Sequence, residues 1–283
     1  MRNMTRRWLI TGCSTGLGRA LAEAVAASGQ QVLATARRPQ TLEDLRDQYP
    51  RTLATCALDV RDPDDCHNAV HAALARYGGI DVLVNNAGVG HFGAVEEVTD
   101  EELTAQLAVN LIAPWRLTRM VLPLMRAQGY GDIVVVSSTA GRIAYPGLGA
   151  YSAATHALEA MVDTLALELA GTGVNAIAVE PGTFATEWGT SATESAPHLG
   201  AYDEVTAPVL ADSRAIKQLP AVNPPSLFVS EMLSLIASDE RPIHRPIGAD
   251  AWTALLDAAQ RDHTALLNAH PPRSAGLAQP APV

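Results

Sequence analysis

One lysine, Lys217, serves all 283 residues, and only three cysteines accompany it, Cys13, Cys56 and Cys66. Three cysteines make neither a disulfide framework nor a zinc site, so no metal centre is expected; they fit a reducing compartment, as small buried thiols. No apolar run reaches the ~20 residues that a membrane span needs. The longest stretch, 103–125, is broken by Gln106, Asn110, Pro114, Arg116 and Arg119. The basic start, Met1 to Arg7, leads into only Trp8, Leu9 and Ile10 before Thr11 and Gly12, too short for the apolar core of a secretory signal. A cytoplasmic protein is expected, with no membrane partner. Cationic charge is also scarce: 20 Lys and Arg against 30 Asp and Glu give a net charge of −10, which argues against nucleic acid as a partner.

Hydrophobic residues make up 48% of the chain, enough for a sizeable core, so disorder of the whole is excluded. Short apolar runs at 8–10, 31–36, 52–58, 80–84, 133–136 and 174–179 alternate with longer amphipathic stretches such as Leu17-Ala20-Leu21-Ala24-Val25. Runs without polar alternation suit strands buried on both faces, hence a parallel sheet. Repeated strand–helix units of this length predict an α/β fold, a doubly wound Rossmann-type parallel sheet with helices on both faces, in a single domain over 1–270. Residues 190–225, polar and rich in Ala, Ser and Pro, interrupt the rhythm and are expected to form a substrate lid. The stretch 271–283, rich in Pro and Ala, is expected to be a disordered tail.

The first apolar run ends in Thr11-Gly12-Cys13-Ser14-Thr15-Gly16-Leu17-Gly18, followed by an amphipathic helix. Glycines there let the backbone turn tightly and approach a pyrophosphate, whose charge rests on the helix N-terminus. Any strand-to-helix turn favours glycine; the position directly after the first strand is what points to a nucleotide. The second run ends Ala36-Arg37-Arg38, with no carboxylate at the turn. A carboxylate would bond a ribose 2′-hydroxyl, whereas arginine accommodates a 2′-phosphate, so NADP(H) is expected over NAD(H).

The spacing Thr-Gly-x-x-x-Gly-x-Gly, with Asp59-Val60, Asn85-Asn86-Ala87-Gly88, Asn110, Ser137-Ser138, Tyr151 and Pro181-Gly182, resembles the short-chain dehydrogenase/reductase family over roughly residues 6–188. The resemblance implies that Gly12, Ser14, Thr15, Gly16, Leu17 and Gly18 cradle the cofactor, and that Asp59 and Val60 contact its adenine. Asn86, Ala87 and Gly88 would shape the floor beneath it, Pro181 and Gly182 its nicotinamide end, and Thr186 would bond the carboxamide. Ser138 would orient a carbonyl or hydroxyl, Tyr151 would exchange the proton, and Asn110 would hold a water in the relay. It also implies a homodimer or homotetramer joined through helices around 103–125 and 151–169.

One position departs from the family. Its catalytic helix reads Tyr-x-x-x-Lys; here the sequence is Tyr151-Ser152-Ala153-Ala154-Thr155. Residues four apart share a helix face, so Thr155 stands where the lysine ammonium would be. A tyrosine titrates near ~10 and needs a nearby positive charge to act as a base near neutrality. Threonine carries no charge, though its hydroxyl is able to bond a ribose. Tyr151 as a proton donor needs no lysine, so reduction suffers less than oxidation. The leading reading is an NADP(H)-dependent reductase of a small-molecule ketone or aldehyde. Non-redox chemistry of lyase, isomerase or cyclase type, and a non-catalytic cofactor-binding role, remain alternatives. Candidate pocket-wall residues are His91, Phe92, Tyr145, Trp188 and Tyr202.

Overall fold

The structure, a computed structural model, describes residues 5–196, 198–219 and 222–269; the expected tail lies outside them. The elements run β1 (Arg7–Ile10), α1 (Gly16–Ala27), β2 (Gln31–Ala36), α2 (Glu43–Gln48), β3 (Leu53–Ala57), α3 (Pro63–Tyr77), β4 (Val82–Asn85), β5 (His91–Phe92), α4 (Asp100–Leu107) and α5 (Ala113–Gln128). There follow β6 (Gly131–Val136), α6 (Gly149–Glu168), β7 (Val174–Pro181), α7 (Trp188–Ser191), β8 (Thr193–Glu194), α8 (Asp203–Arg214), α9 (Pro225–Ala237), β9 (His244–Ile247) and α10 (Ala249–Asn268).

Seven strands form one parallel sheet in the order β3-β2-β1-β4-β6-β7-β9. Its strands read as continuous apolar runs because both faces are covered. Trp8, Ile10, Val32 and Val84 point into one core layer with Leu21 and Val25 of α1 and Phe228 and Met232 of α9. Leu9, Leu33, Leu83 and Ile133 point into the other, with Ala69 of α3, Leu117 and Val121 of α5 and Leu158 of α6.

Local chemistry sets the helix ends. The Asp62 carboxylate accepts from the Asp64 N–H at 2.8 Å and Pro63 opens α3, while Gly78 in the left-handed region closes it. Thr99 and Glu102 form a reciprocal capping box on α4. A π-turn over 108–112 joins α4 to α5, so the stretch 103–125 is two helices with a wide turn between them. The region expected as a lid is largely structured: it holds α8, and β8 pairs with β5 in a two-stranded ribbon.

Candidate active site

The loops at the carboxyl ends of β1, β4, β6 and β7 converge on one edge of the sheet, where an open α/β sheet places its ligands. After β1 the chain turns at Gly12, φ +70°, where a Cβ would lie 2.7 Å from the Ala87 Cα. Gly16 takes φ +60° and faces Thr186, and a Cβ on Gly18 would collide with the Asn86 amide. Asn86 is the strut of this corner: its Nδ2 donates to the Thr11 and Gly12 carbonyls at 2.8 and 3.1 Å. The Thr11 hydroxyl accepts from the Asn86 and Ala87 N–H groups. The glycines and Asn86 therefore hold β1 against β4 and keep side chains out of the turn. A cleft of about 410 Å³ opens above it, lined by Ser14, Thr15, Gly16 and Arg19 on one side and Ala185, Thr186 and Glu187 on the other. The first turn of α1 has no acidic residue and no side-chain cap, so its orphan N–H groups face the cleft. These residues fit a dinucleotide pyrophosphate.

Arg37 and Arg38 are exposed at the end of β2 and form no ion pair among the described residues. Asp59 is held by a forked pair with Arg61 (Arg61 Nη2 to Oδ2, 2.6 Å), which with nearby Arg37 keeps its carboxyl below the usual range. Val60 is buried in the core beneath, and its carbonyl accepts from Arg116. Pro181 ends β7; the side-chain direction of Gly182 is filled by the Asp250 carboxylate, which accepts from the Thr183 N–H at 2.6 Å. Gly88 lies beside the Asn110 amide oxygen.

Tyr151, in the first turn of α6, is 9% exposed. Burial pushes its phenol upward, and the hydrogen-bonding Ser138 hydroxyl only partly offsets this. Ser138 Oγ accepts from the Ala140 N–H at 3.1 Å, which leaves its own proton free to donate. Asn110, on the π-turn, is tied to Val89 through both amide atoms: Nδ2 donates to the carbonyl and Oδ1 accepts from the N–H, each at 3.0 Å. Thr155 is 2% exposed, and its hydroxyl lies 2.9, 3.0 and 3.2 Å from the carbonyls of Tyr151, Ala140 and Ser152. Its single proton is therefore committed to backbone, and the ribose bond that threonine chemistry allows has no free donor here. No other cation replaces the lysine among the described residues. Lys217 pairs with Glu187, Arg142 lies 3.4 Å from Glu180, and His156 bonds back to the Ser152 carbonyl at 2.8 Å.

Phe92, Tyr145 and Trp188 gather around Tyr151, as expected of pocket walls. His91 and Tyr202 do not. His91 bonds Thr193 and Ser195 at 2.8 and 2.7 Å, and the Tyr202 hydroxyl donates to Glu96, so both fasten 193–202 to 91–102. Sequence reasoning missed Gly90, Glu97, Glu102 and Ser195. Glu97 accepts from the Ala94 and Leu199 N–H groups, and Ser195 Oγ donates to Glu102, completing that fastening.

Comparison with known proteins shows the family and the fold. The family model for short chain dehydrogenases matches residues 6–197. An oxidoreductase of Botryotinia fuckeliana, BOA17, is 36% identical over 88% of this chain and 90% of its own. An NADPH-dependent 3-dehydrocapnine reductase of Ornithobacterium rhinotracheale is 36% identical over 67% of this chain and 70% of its own. The crystal structure of a short-chain dehydrogenase from Streptomyces avermitilis superposes with a TM-score of 0.87 at 36% identity, covering 95% of this chain and 97% of that one.

Proposed function

Since the chain belongs to the short-chain dehydrogenase family, an oxidoreductase family using nicotinamide cofactors, we propose that it is an NADP(H)-dependent reductase of ketones or aldehydes. The observation that carries the reductase reading is the state of Tyr151: buried, raised above its ordinary value, and without a facing cation. Such a phenol keeps its proton through neutral pH, which suits it to give a proton rather than take one.

Ser138, hydrogen-bonded to the Tyr151 phenol, and that phenol would together donate to one substrate oxygen, the arrangement that stabilises charge developing on a carbonyl. Tyr151 then delivers its proton to that oxygen as the alcohol forms. A nicotinamide held there would supply the hydride for the carbonyl carbon. Asn110, fixed to Val89, would hold a water in the proton relay. Ser14 to Gly18 would seat the pyrophosphate, Asp59 and Val60 the adenine, Asn86 to Gly88 the floor, and Pro181, Gly182 and Thr186 the nicotinamide end. Arg37, unpaired beside Arg38, would take the 2′-phosphate, which favours NADP(H) over NAD(H). The protein would act in the cytoplasm as a homodimer or homotetramer, with residues 190–225 covering the substrate.

The test is turnover of NADPH and NADH by the purified protein over a carbonyl panel, with cofactor binding followed by nicotinamide fluorescence. NADPH should be consumed faster than NADH. Tyr151→Phe should bind NADPH unchanged and lose ~10²–10⁴-fold in rate, as removal of a positioned acid does. NADPH binding without turnover of any carbonyl would overturn the reductase reading in favour of non-redox chemistry.

A further inference from the structure

The surface around Tyr151 divides by chemistry. Next to the phenol lies an apolar wall: Phe92, Tyr145, Leu148, Trp188 and Leu210 pack there. Trp188 dominates it. Its indole lies 5.0 Å from the Tyr151 ring, centroid to centroid, and meets Phe92 edge-on at 5.9 Å. Gly90 makes the niche for it, because a Cβ there would stand 2.6 Å from the indole Cζ2. The bare backbone at Gly90 and the bulk at Trp188 thus form one device that sets an aromatic plane against the reactive phenol.

Outside that wall the rim is acidic. The segment 89–107 holds Glu96, Glu97, Asp100, Glu101 and Glu102 and neither lysine nor arginine. Facing it, residues 187–219 hold Glu187, Glu194, Asp203, Glu204 and Asp212 against two cations, Arg214 and Lys217. Both cations are spent: Arg214 pairs with Glu194 and Lys217 with Glu187. Glu97 is buried beneath the rim beside His198, its carboxyl lowered by the Leu199 and Ala94 N–H donors, and the Thr99 N–H lowers that of Glu102. An approaching carboxylate, sulfonate or phosphate meets like charge at the rim and finds no free cation among the described residues of these two segments and an apolar wall within, both unfavourable.

We propose that this site takes a neutral, apolar carbonyl compound and rejects anionic ones, with Trp188 as the specificity-determining wall. The proposal rests on the reductase reading and adds its substrate class.

The experiment uses the NADPH-loaded protein with two ketones: 3-(4-acetylphenyl)propanoate and its methyl ester. Two methylenes insulate the carbonyl from the charge, so the pair differs in charge and not in intrinsic reactivity. Reduction of the ester should exceed that of the carboxylate at least ~10-fold in kcat/KM, the scale of a like-charge penalty at a partly screened rim. The gap should narrow as salt rises from about 0.01 to 1 M, where the screening length shrinks from ~30 to ~3 Å. Trp188→Ala should raise KM for the ester ~10-fold with a smaller change in kcat, and Trp188→Phe should restore most of it. Equal or better use of the carboxylate, or a gap indifferent to salt, would overturn the proposal while leaving the reductase reading intact. If neither ketone is reduced, the wider carbonyl panel decides that reading. Thermal shifts of the NADPH complex with each ketone then decide the ligand class, and stabilisation by the carboxylate alone would overturn it.

Discussion

Tyr151 and Thr155 stand one helical turn apart on α6, and on the proposed reductase reading the balance of forward and reverse chemistry would lie between them. Burial disfavours the phenolate, and Thr155 offers no charge to offset it. Reduction needs the phenol and oxidation needs the phenolate, so oxidation should climb with pH to above ~10, the ordinary tyrosine value. Thr155→Lys introduces an ammonium that favours the phenolate and lowers the Tyr151 pKa. The expected result is an alcohol-oxidation profile moved at least about one pH unit toward neutrality, worth ~1.4 kcal/mol, with reduction at pH 7 altered less than oxidation. Paired pH–rate profiles in both directions check this, and an unmoved oxidation profile would refute it. Ser138 and Tyr151 were singled out in sequence by the family resemblance, and the structure brings the two hydroxyls together. The orientation of Thr155 was not, because its proton goes partly to Ala140, fifteen residues back on another loop. His91 and Tyr202 escaped for the same reason: partners about a hundred residues away, Ser195 and Glu96, decide where they point.

Six of the seven sheet strands were readable as apolar runs, since two-sided burial demands them. The seventh, β9, reads His244-Arg245-Pro246-Ile247 and shows no such run; pairing with β7 and a buried Ile247 define it instead. His244 also ties three elements together. Its Nδ1 lies 3.2 Å from both Glu159 of α6 and Glu180 of β7, and its Nε2 lies 2.7 Å from Asp163. These carboxylates, Glu159 and Glu180 foremost, push the imidazole up to about 10. A group whose pKa is raised on folding stabilises fully below its unfolded value, ~6.5, and loses that contribution as pH rises toward about 10. The wild-type melting temperature should therefore fall between pH 7 and 10 more steeply than that of His244→Gln, and the two should differ most at the acidic end of that window. Differential scanning calorimetry across this range reads both slopes; parallel slopes would show that His244 is not the charged strut.

Charge is unevenly spread over the whole molecule. Arg37 and Arg38, which form no ion pair among the described residues, stand at the end of β2, whereas the two segments over Tyr151 are acidic, so the field favours an anion at the first place and disfavours one at the second. The outer face of α5 is different again. Ile112, the last residue of the π-turn, at 47% exposure and Trp115 of α5 at 56%, three residues apart, share one side of the helical stretch and are exposed among the described residues. An exposed tryptophan beside a large aliphatic is what a two-fold interface buries at its centre, since one patch meets its own copy. Trp115→Glu places two carboxylates against each other in such an interface, at a cost of several kcal/mol. The wild type should sediment as a dimer or tetramer and Trp115→Glu as a smaller species with the same melting curve at low concentration, because the α5 core face of Leu117 and Val121 is untouched. Unchanged sedimentation would move the contact away from α5, with exposed Trp252 and Leu256 of α10 the next face to substitute.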